Sequence, residues 1–201
     1  MEIQFNKLRD FVYAVNLDLP VDNQTIIDEL RQQNWRPDQA AYGQSDFVGR
    51  YFLNWDDLTS ESLKSLQSWS HSDQFRKTII DQLYSEKLFG GHWSIGPEEM
   101  FRNTKSSGRF LKDLPGFTAG LHIDNRLLVA SGMIYFVNGD DPNQSTTFYS
   151  NSRRDYPRRI PTGHGRGWIA ANTHDSWHDG LNQSSQERYS MILSVGLKLA
   201  D

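Results

Sequence analysis

A chain of 201 residues is long enough to bury a core of its own, and a net charge of only −4 excludes a bulk electrostatic grip on nucleic acid or an anionic membrane. The absence of cysteine removes disulfides, thiolate metal sites and cysteine nucleophiles together, and it fits a reducing compartment. The opening residues Met1-Glu-Ile-Gln-Phe-Asn-Lys carry an acid at once and no continuous apolar run, so no signal peptide is expected and the cytoplasm is the expected location.

In chain order, the first half carries helical signals. Asp22 or Asn23 can cap a helix whose Ile26, Ile27 and Leu30 form an apolar stripe. Thr59 or Ser60 can cap a second with Leu63, Leu66 and Trp69, and Ser72 a third with Phe75, Ile79 and Leu83. From about Gly116 the pattern turns to short strands over 128–137, 146–149, 167–171 and 188–199. They are separated by turn clusters such as Asn138-Gly-Asp-Asp-Pro-Asn and Pro161-Thr-Gly-His-Gly. Short strands at this spacing predict a sandwich or barrel. No repeat or linker divides the chain, so 1–201 reads as one domain: helical support over about 1–113, and a barrel over about 114–201.

The six histidines differ in what surrounds them. His71 precedes a helix start, His92 follows two glycines and His164 sits in a turn, positions that packing and solvent explain. His122 stands two residues before Asp124, and in an extended segment residues two apart point to one face. A third ligand must come from elsewhere, and both His174 and His178 are candidates. His178 is followed by the turn signal Asp179-Gly180, and a strand returns from Arg188, so paired strands would set these two residues side by side. On the returning strand Tyr189, Met191, Leu193, Val195 and Leu197 share a core face. The opposite face carries Arg188 and Ser190, and a buried arginine there needs an anion: a bound carboxylate or an aspartate of the chain.

Together these residues resemble the 2-oxoglutarate, iron(II) oxygenase superfamily, including its prolyl-hydroxylase-like members. The matching pattern is His122-Ile-Asp124, then His178, then Arg188-Tyr-Ser190 ten residues on. Met133-Ile-Tyr135-Phe-Val resembles the strand whose tyrosine helps bind the co-substrate, and Ser145-Thr-Thr-Phe-Tyr149 the strand that usually begins Gly-Gly-Thr. The resemblance covers roughly 114–198 and departs from the family where Gln144-Ser145 replaces the two glycines.

The resemblance implies a double-stranded β-helix, or jelly-roll barrel, with N-terminal helices packed on it. It further implies iron(II) held by His122, Asp124 and His178, with the distal carboxylate of 2-oxoglutarate on Arg188, Ser190 and Tyr135. The implied reaction couples oxidative decarboxylation of 2-oxoglutarate to hydroxylation of a small-molecule or peptidyl substrate. The carboxylate at Asp124 argues against a halogenase. Two other classes fit parts of the pattern: a metal-binding jelly-roll module without activity, which would leave Arg188 and Ser190 without purpose, and a zinc hydrolase, which would need a general base. Arg153, Arg154, Arg158 and Arg159 lie in one segment between strands and suggest an anionic substrate if that segment borders the open end of the barrel.

Overall fold

Three side-chain caps start the helices where the sequence places them, in a computed structural model that describes residues 1–38, 49–86, 95–125 and 127–198. Asp22 accepts from the Thr25 amide at 3.0 Å ahead of α1 (Asn23–Arg31). Ser60 accepts from Leu63 at 3.3 Å ahead of α2 (Glu61–Ser70), and Ser72 from Phe75 at 3.1 Å ahead of α3 (Asp73–Ser85). Each cap satisfies an amide that the first helical turn leaves unpaired. The predicted stripes are the buried faces: Ile26, Ile27 and Leu30 on α1, Leu63, Leu66 and Trp69 on α2, and Phe75, Ile79 and Leu83 on α3. A short α4 (Pro97–Arg102) follows.

The strands are β1 (Ile3–Arg9), β2 (Val12–Leu17), β3 (Arg36–Pro37), β4 (Arg50–Phe52), β5 (Thr104–Asp113), β6 (Phe117–His122), β7 (Leu128–Phe136), β8 (Thr146–Phe148), β9 (Arg158–Ile160), β10 (Arg166–Ala171), β11 (His178–Asn182) and β12 (Arg188–Leu197). They form an eight-stranded sheet in the order β1-β2-β10-β7-β12-β5-β4-β3 and a four-stranded sheet in the order β6-β11-β8-β9, with antiparallel pairing. The outer face of the large sheet, with Phe110, Ile134, Phe136, Met191, Leu193 and Val195, packs on the helices in one core. Its inner face, with Leu111, Met133, Tyr135 and Trp168, meets Phe148 and Ile160 of the small sheet in a second. This is a double-stranded β-helix buttressed on one side by helices. Among the described residues no helix is long and apolar enough to cross a membrane.

The first half departs from its helical reading, because β1, β2 and β5 all belong to the large sheet. The β1–β2 hairpin lacks a glycine signal: its left-handed turn position, φ 60°, is occupied by Phe11, whose side chain is buried. In β5 the outward row includes Thr104, Ser106 and Gly108, small residues beside helices rather than an apolar alternation. A Cβ on Gly108 would come within 2.3 Å of Ser70 Oγ on α2. Close helix packing therefore erased the period-two pattern that marks a strand.

Gly167 on β10 is under a tighter constraint, since a Cβ there would stand 1.8 Å from the Met133 carbonyl oxygen on β7. Backbone cannot yield as a side-chain tip can. Gly167→Ala is expected to destabilise the fold by about 2–3 kcal/mol. For a chain of this size that corresponds to a melting point lower by roughly 5–10 °C. A melting point unchanged in a thermal scan would refute the close approach.

Candidate metal centre and anion pocket

Register brings the two metal-pattern histidines together. His178 on β11 lies directly opposite His122 on β6, and directly opposite Phe148 on β8 on its other side. Asp124 follows β6 by two residues, and its carboxylate faces both rings: Oδ1 is 3.7 Å from His122 Nε2 and Oδ2 is 3.8 Å from His178 Nε2. One ligand atom from each of the three residues falls within 4.8 Å of the others. Among the described residues this is the one such group.

Both imidazoles are held from behind. Nδ1 of His122 is 2.6 Å from the Gly120 carbonyl and Nδ1 of His178 is 3.0 Å from the Ser176 carbonyl. A carbonyl only accepts, so each Nδ1 carries a proton, and in the neutral imidazole each Nε2 keeps its lone pair toward Asp124. Ser131 on β7 donates to Asp124 Oδ2 and fixes the carboxylate. His178 is buried among the rings of Phe148 and Trp168, with centroids at 5.0 and 5.1 Å.

Electrostatics follow from these contacts. Burial lowers the His178 imidazole below its ordinary value, so it stays neutral and able to ligate. Burial also opposes charge on His122, but Asp124 and the Gly120 carbonyl outweigh it and raise its pKa. Burial works against ionisation of Asp124 as well, yet the two imidazoles and Ser131 hold its carboxyl at about 2. The donor set of two imidazoles and one ionised carboxylate suits a divalent first-row metal with positions left open.

A cavity of about 400 Å³ extends from this group and is lined by His122, Asp124, His178, Trp168, Thr146 and Arg188, among others. Arg188 and Ser190 are fully buried on the inner face of β12, as their alternation with Tyr189 and Met191 predicts. Tyr135 lies opposite Ser190 on β7 and donates to Thr146 Oγ1 at 2.7 Å. Ser190 Oγ and Trp168 Nε1 are buried without a hydrogen-bond partner. Each is a buried polar group whose partner the chain itself does not supply.

Two sequence expectations change in detail. His178 opens β11, and Asp179-Gly180 is strand rather than the expected turn. The chain turns later, at 183–187, where Asn182 Nδ2 donates to the Gln186 carbonyl. β11 and β12 then enter different sheets, so His178 and Arg188 line one cavity from opposite sheets instead of standing side by side along a ladder. Arg188 also has a partner of its own, Asp113, at 2.6 Å.

Among the described residues, the other histidines lie apart from the triad. His71 packs on Trp55, His164 Nε2 is 3.1 Å from the Val21 carbonyl, and His92 falls outside the described residues. His174 is largely exposed beside Asp175. His174→Ala is therefore expected to leave metal affinity within about twofold, because surface changes away from a site act weakly. An isothermal titration showing lost metal binding in that variant would mean the triad is misassigned.

The arginine segment lies at the metal end, since the chain leaves β8 at Phe148, directly opposite His178. Arg154 Nη1 is 3.4 Å from Asp179, while Arg153 and Arg158 make no ion pair among the described residues. Arg159 does not fit the group. It grips Asp140 with two hydrogen bonds of 2.7 and 2.6 Å, and these hold the Asp140 carboxyl at about 2.

Sequence reasoning missed Arg50, Asp113, Ser131 and Trp168. Ser131 shared a readable face with Met133 and Tyr135; the other three carried no signal in their local pattern.

Solved structures share this arrangement of strands. The α-ketoglutarate-dependent epimerase SnoN of nogalamycin biosynthesis superposes with a TM-score of 0.60 at 12% identity, over 94% of this chain and 79% of that one. A prolyl hydroxylase from Trichoplax adhaerens, in complex with a hypoxia inducible factor peptide fragment, gives 0.60 at 14% identity over 93% and 84%. HygX from Streptomyces hygroscopicus, with nickel and 2-oxoglutarate bound, gives 0.57 at 8% identity over 94% and 84%. The fold is that of the 2-oxoglutarate, iron(II) oxygenases. No protein-family model matches the chain, and no curated protein matches it. Likeness at this identity is likeness of fold, and function lies in the site that the fold carries.

Proposed function

We propose that this chain is a non-haem iron(II) oxygenase that couples oxidative decarboxylation of 2-oxoglutarate to hydroxylation of a second substrate. One observation carries the reading: a tautomer-fixed His-Asp-His group and the buried Arg188 line one cavity, and Ser190, on the same inner face of β12, has a buried hydroxyl without a partner. A metal-binding module without activity has no use for the second feature.

The residues fit the cofactors in kind. His122 Nε2, His178 Nε2 and one Asp124 oxygen would hold iron(II), leaving open positions for the oxo-acid and oxygen. Arg188, Ser190 and Tyr135 would receive the distal carboxylate, with Trp168 Nε1 a further donor. When bound, iron(II) with 2-oxoglutarate and oxygen supplies the oxidant, releasing succinate and carbon dioxide as the substrate gains a hydroxyl. The chain's own part is to fix the ligand tautomers, to orient the dicarboxylate and to exclude bulk water with Phe148 and Trp168.

The substrate is proposed to be a small or peptidyl anion. Arg153, Arg154 and Arg158 support this by standing at the metal end with little internal neutralisation. Replacing these three with glutamine should lower substrate turnover several-fold at low salt, where charges are least screened, while uncoupled succinate release persists. Arg159→Gln should instead cost stability, since it releases Asp140.

The deciding experiment is succinate release and oxygen consumption with iron(II) and 2-oxoglutarate, run against phosphorylated, carboxylated and peptide substrates. Succinate formed one-for-one with a hydroxylated product supports the reading. Turnover that needs neither oxygen nor 2-oxoglutarate would replace it with hydrolysis.

A further inference from the structure

The residues that resemble the oxygenase pattern all lie after position 114, yet two charged side chains from before it complete the pocket. Pairing register accounts for both. Asp113, the last residue of β5, is directly opposite Arg188 on β12 and directly opposite Arg50 on β4. Three adjacent strands thus present a row of two guanidiniums around one carboxylate, all of it buried.

The bonds are specific. Arg50 grips both carboxylate oxygens, Nε donating to Oδ1 at 2.6 Å and Nη2 to Oδ2 at 3.1 Å. Arg188 meets Oδ2 with Nε at 3.1 Å and Nη2 at 2.6 Å, and its Nη1 donates to the Leu181 carbonyl at 2.8 Å. A guanidinium has five N–H donors, so three are engaged, and two terminal ones, on Nη1 and Nη2, remain for the cavity that Arg188 lines. Burial works against the ionised Asp113, and the two arginines nevertheless hold its carboxyl below the usual range.

We propose that Asp113 is the positioning residue of the co-substrate pocket. It clamps Arg188 by its Nε/Nη2 edge and presents the terminal N–H groups to the distal carboxylate, while Arg50 locks Asp113 against turning. An arginine side chain has many rotamers, and fixing it before the ligand arrives removes that ordering cost from binding. Without Arg50, the Asp113 carboxylate could swing onto the terminal N–H groups and compete with the ligand for them. The inference rests on the function proposed above.

Selectivity tests it. The full chain is loaded with iron(II) without oxygen and titrated separately with 2-oxoglutarate and with 2-oxobutyrate, which keeps the chelating end and lacks the distal carboxylate. The visible charge-transfer band reports binding of each. Wild-type protein should prefer 2-oxoglutarate. Asp113→Asn should reduce that preference about tenfold or more, as loss of a supporting partner does, with 2-oxobutyrate affinity unchanged. Adding Asp113→Asn to Arg188→Gln should reduce it no further, because both act through one guanidinium. Should Asp113→Asn fail to fold, Arg50→Lys gives the same readout with a smaller loss of a few fold, because one donor replaces two.

A preference unchanged in the folded variant, or equal losses for both oxo-acids, overturns the positioning role and leaves the proposed function standing. A wild-type chain that develops no band with either oxo-acid overturns the function and this inference with it.

Discussion

Asp124→Ala is expected to lower iron(II) affinity by more than about 100-fold, beyond the 10–100-fold typical of losing an outer partner of a metal site. Three effects coincide at this residue. It is the anionic member of the triad, it opposes both Nε2 atoms, and it accepts from Ser131. The fold should survive, because Asp124 lies in the segment after β6 rather than within the paired strands. His178→Ala should weaken iron as severely and should also lower the melting point, since its ring fills space among His122, Phe148 and Trp168. Ser131→Ala should fall between these variants and wild type. Anaerobic iron titration followed by the charge-transfer band measures all three, and a band that persists in Asp124→Ala at wild-type iron concentration would reject the ligand set.

Arg188→Met separates the anion pocket from the metal. Iron binding should be kept, and 2-oxoglutarate affinity should fall by roughly 2–5 kcal/mol, the cost of leaving a buried charge without its partner. Asp113 makes this variant tractable. With Arg188 gone the carboxylate still holds Arg50 through both oxygens, so no unpaired charge is stranded in the core. The Leu181 carbonyl loses its donor, which should cost about 1–3 kcal/mol of stability. Tyr135→Phe should show a milder loss, because the serine and arginine remain. If Arg188→Met binds 2-oxoglutarate as wild type does, the distal carboxylate lies elsewhere in the cavity.

Much of this was legible from local pattern. The three helix caps and their apolar stripes were read from neighbours within four residues, which is the range over which helical hydrogen bonds and faces are decided. The same range sufficed for the inner and outer faces of β12, hence for placing Arg188 and Ser190 on the face opposite the core row of Tyr189, Met191, Leu193 and Val195. His122 and Asp124 were visible as a pair because they are two residues apart.

Other features depended on partners far along the chain. The choice of His178 over His174 became geometric only when β11 paired with β6 and set His178 opposite His122. The β1–β2 hairpin stayed hidden because Phe11, not glycine, takes the left-handed turn. β5 stayed hidden because close packing of α2 requires small residues where a strand would show apolar ones.

Local pattern was thus enough for the three capped helices, the strand faces of the barrel half and the residue types of the candidate metal group. The tertiary structure alone decided that Asp113 and Arg50 stand beside Arg188. Their union is a product of register across β4, β5 and β12, contacts 63 and 75 residues apart in sequence. Such pairing is fixed by how the sheets close rather than by any local periodicity.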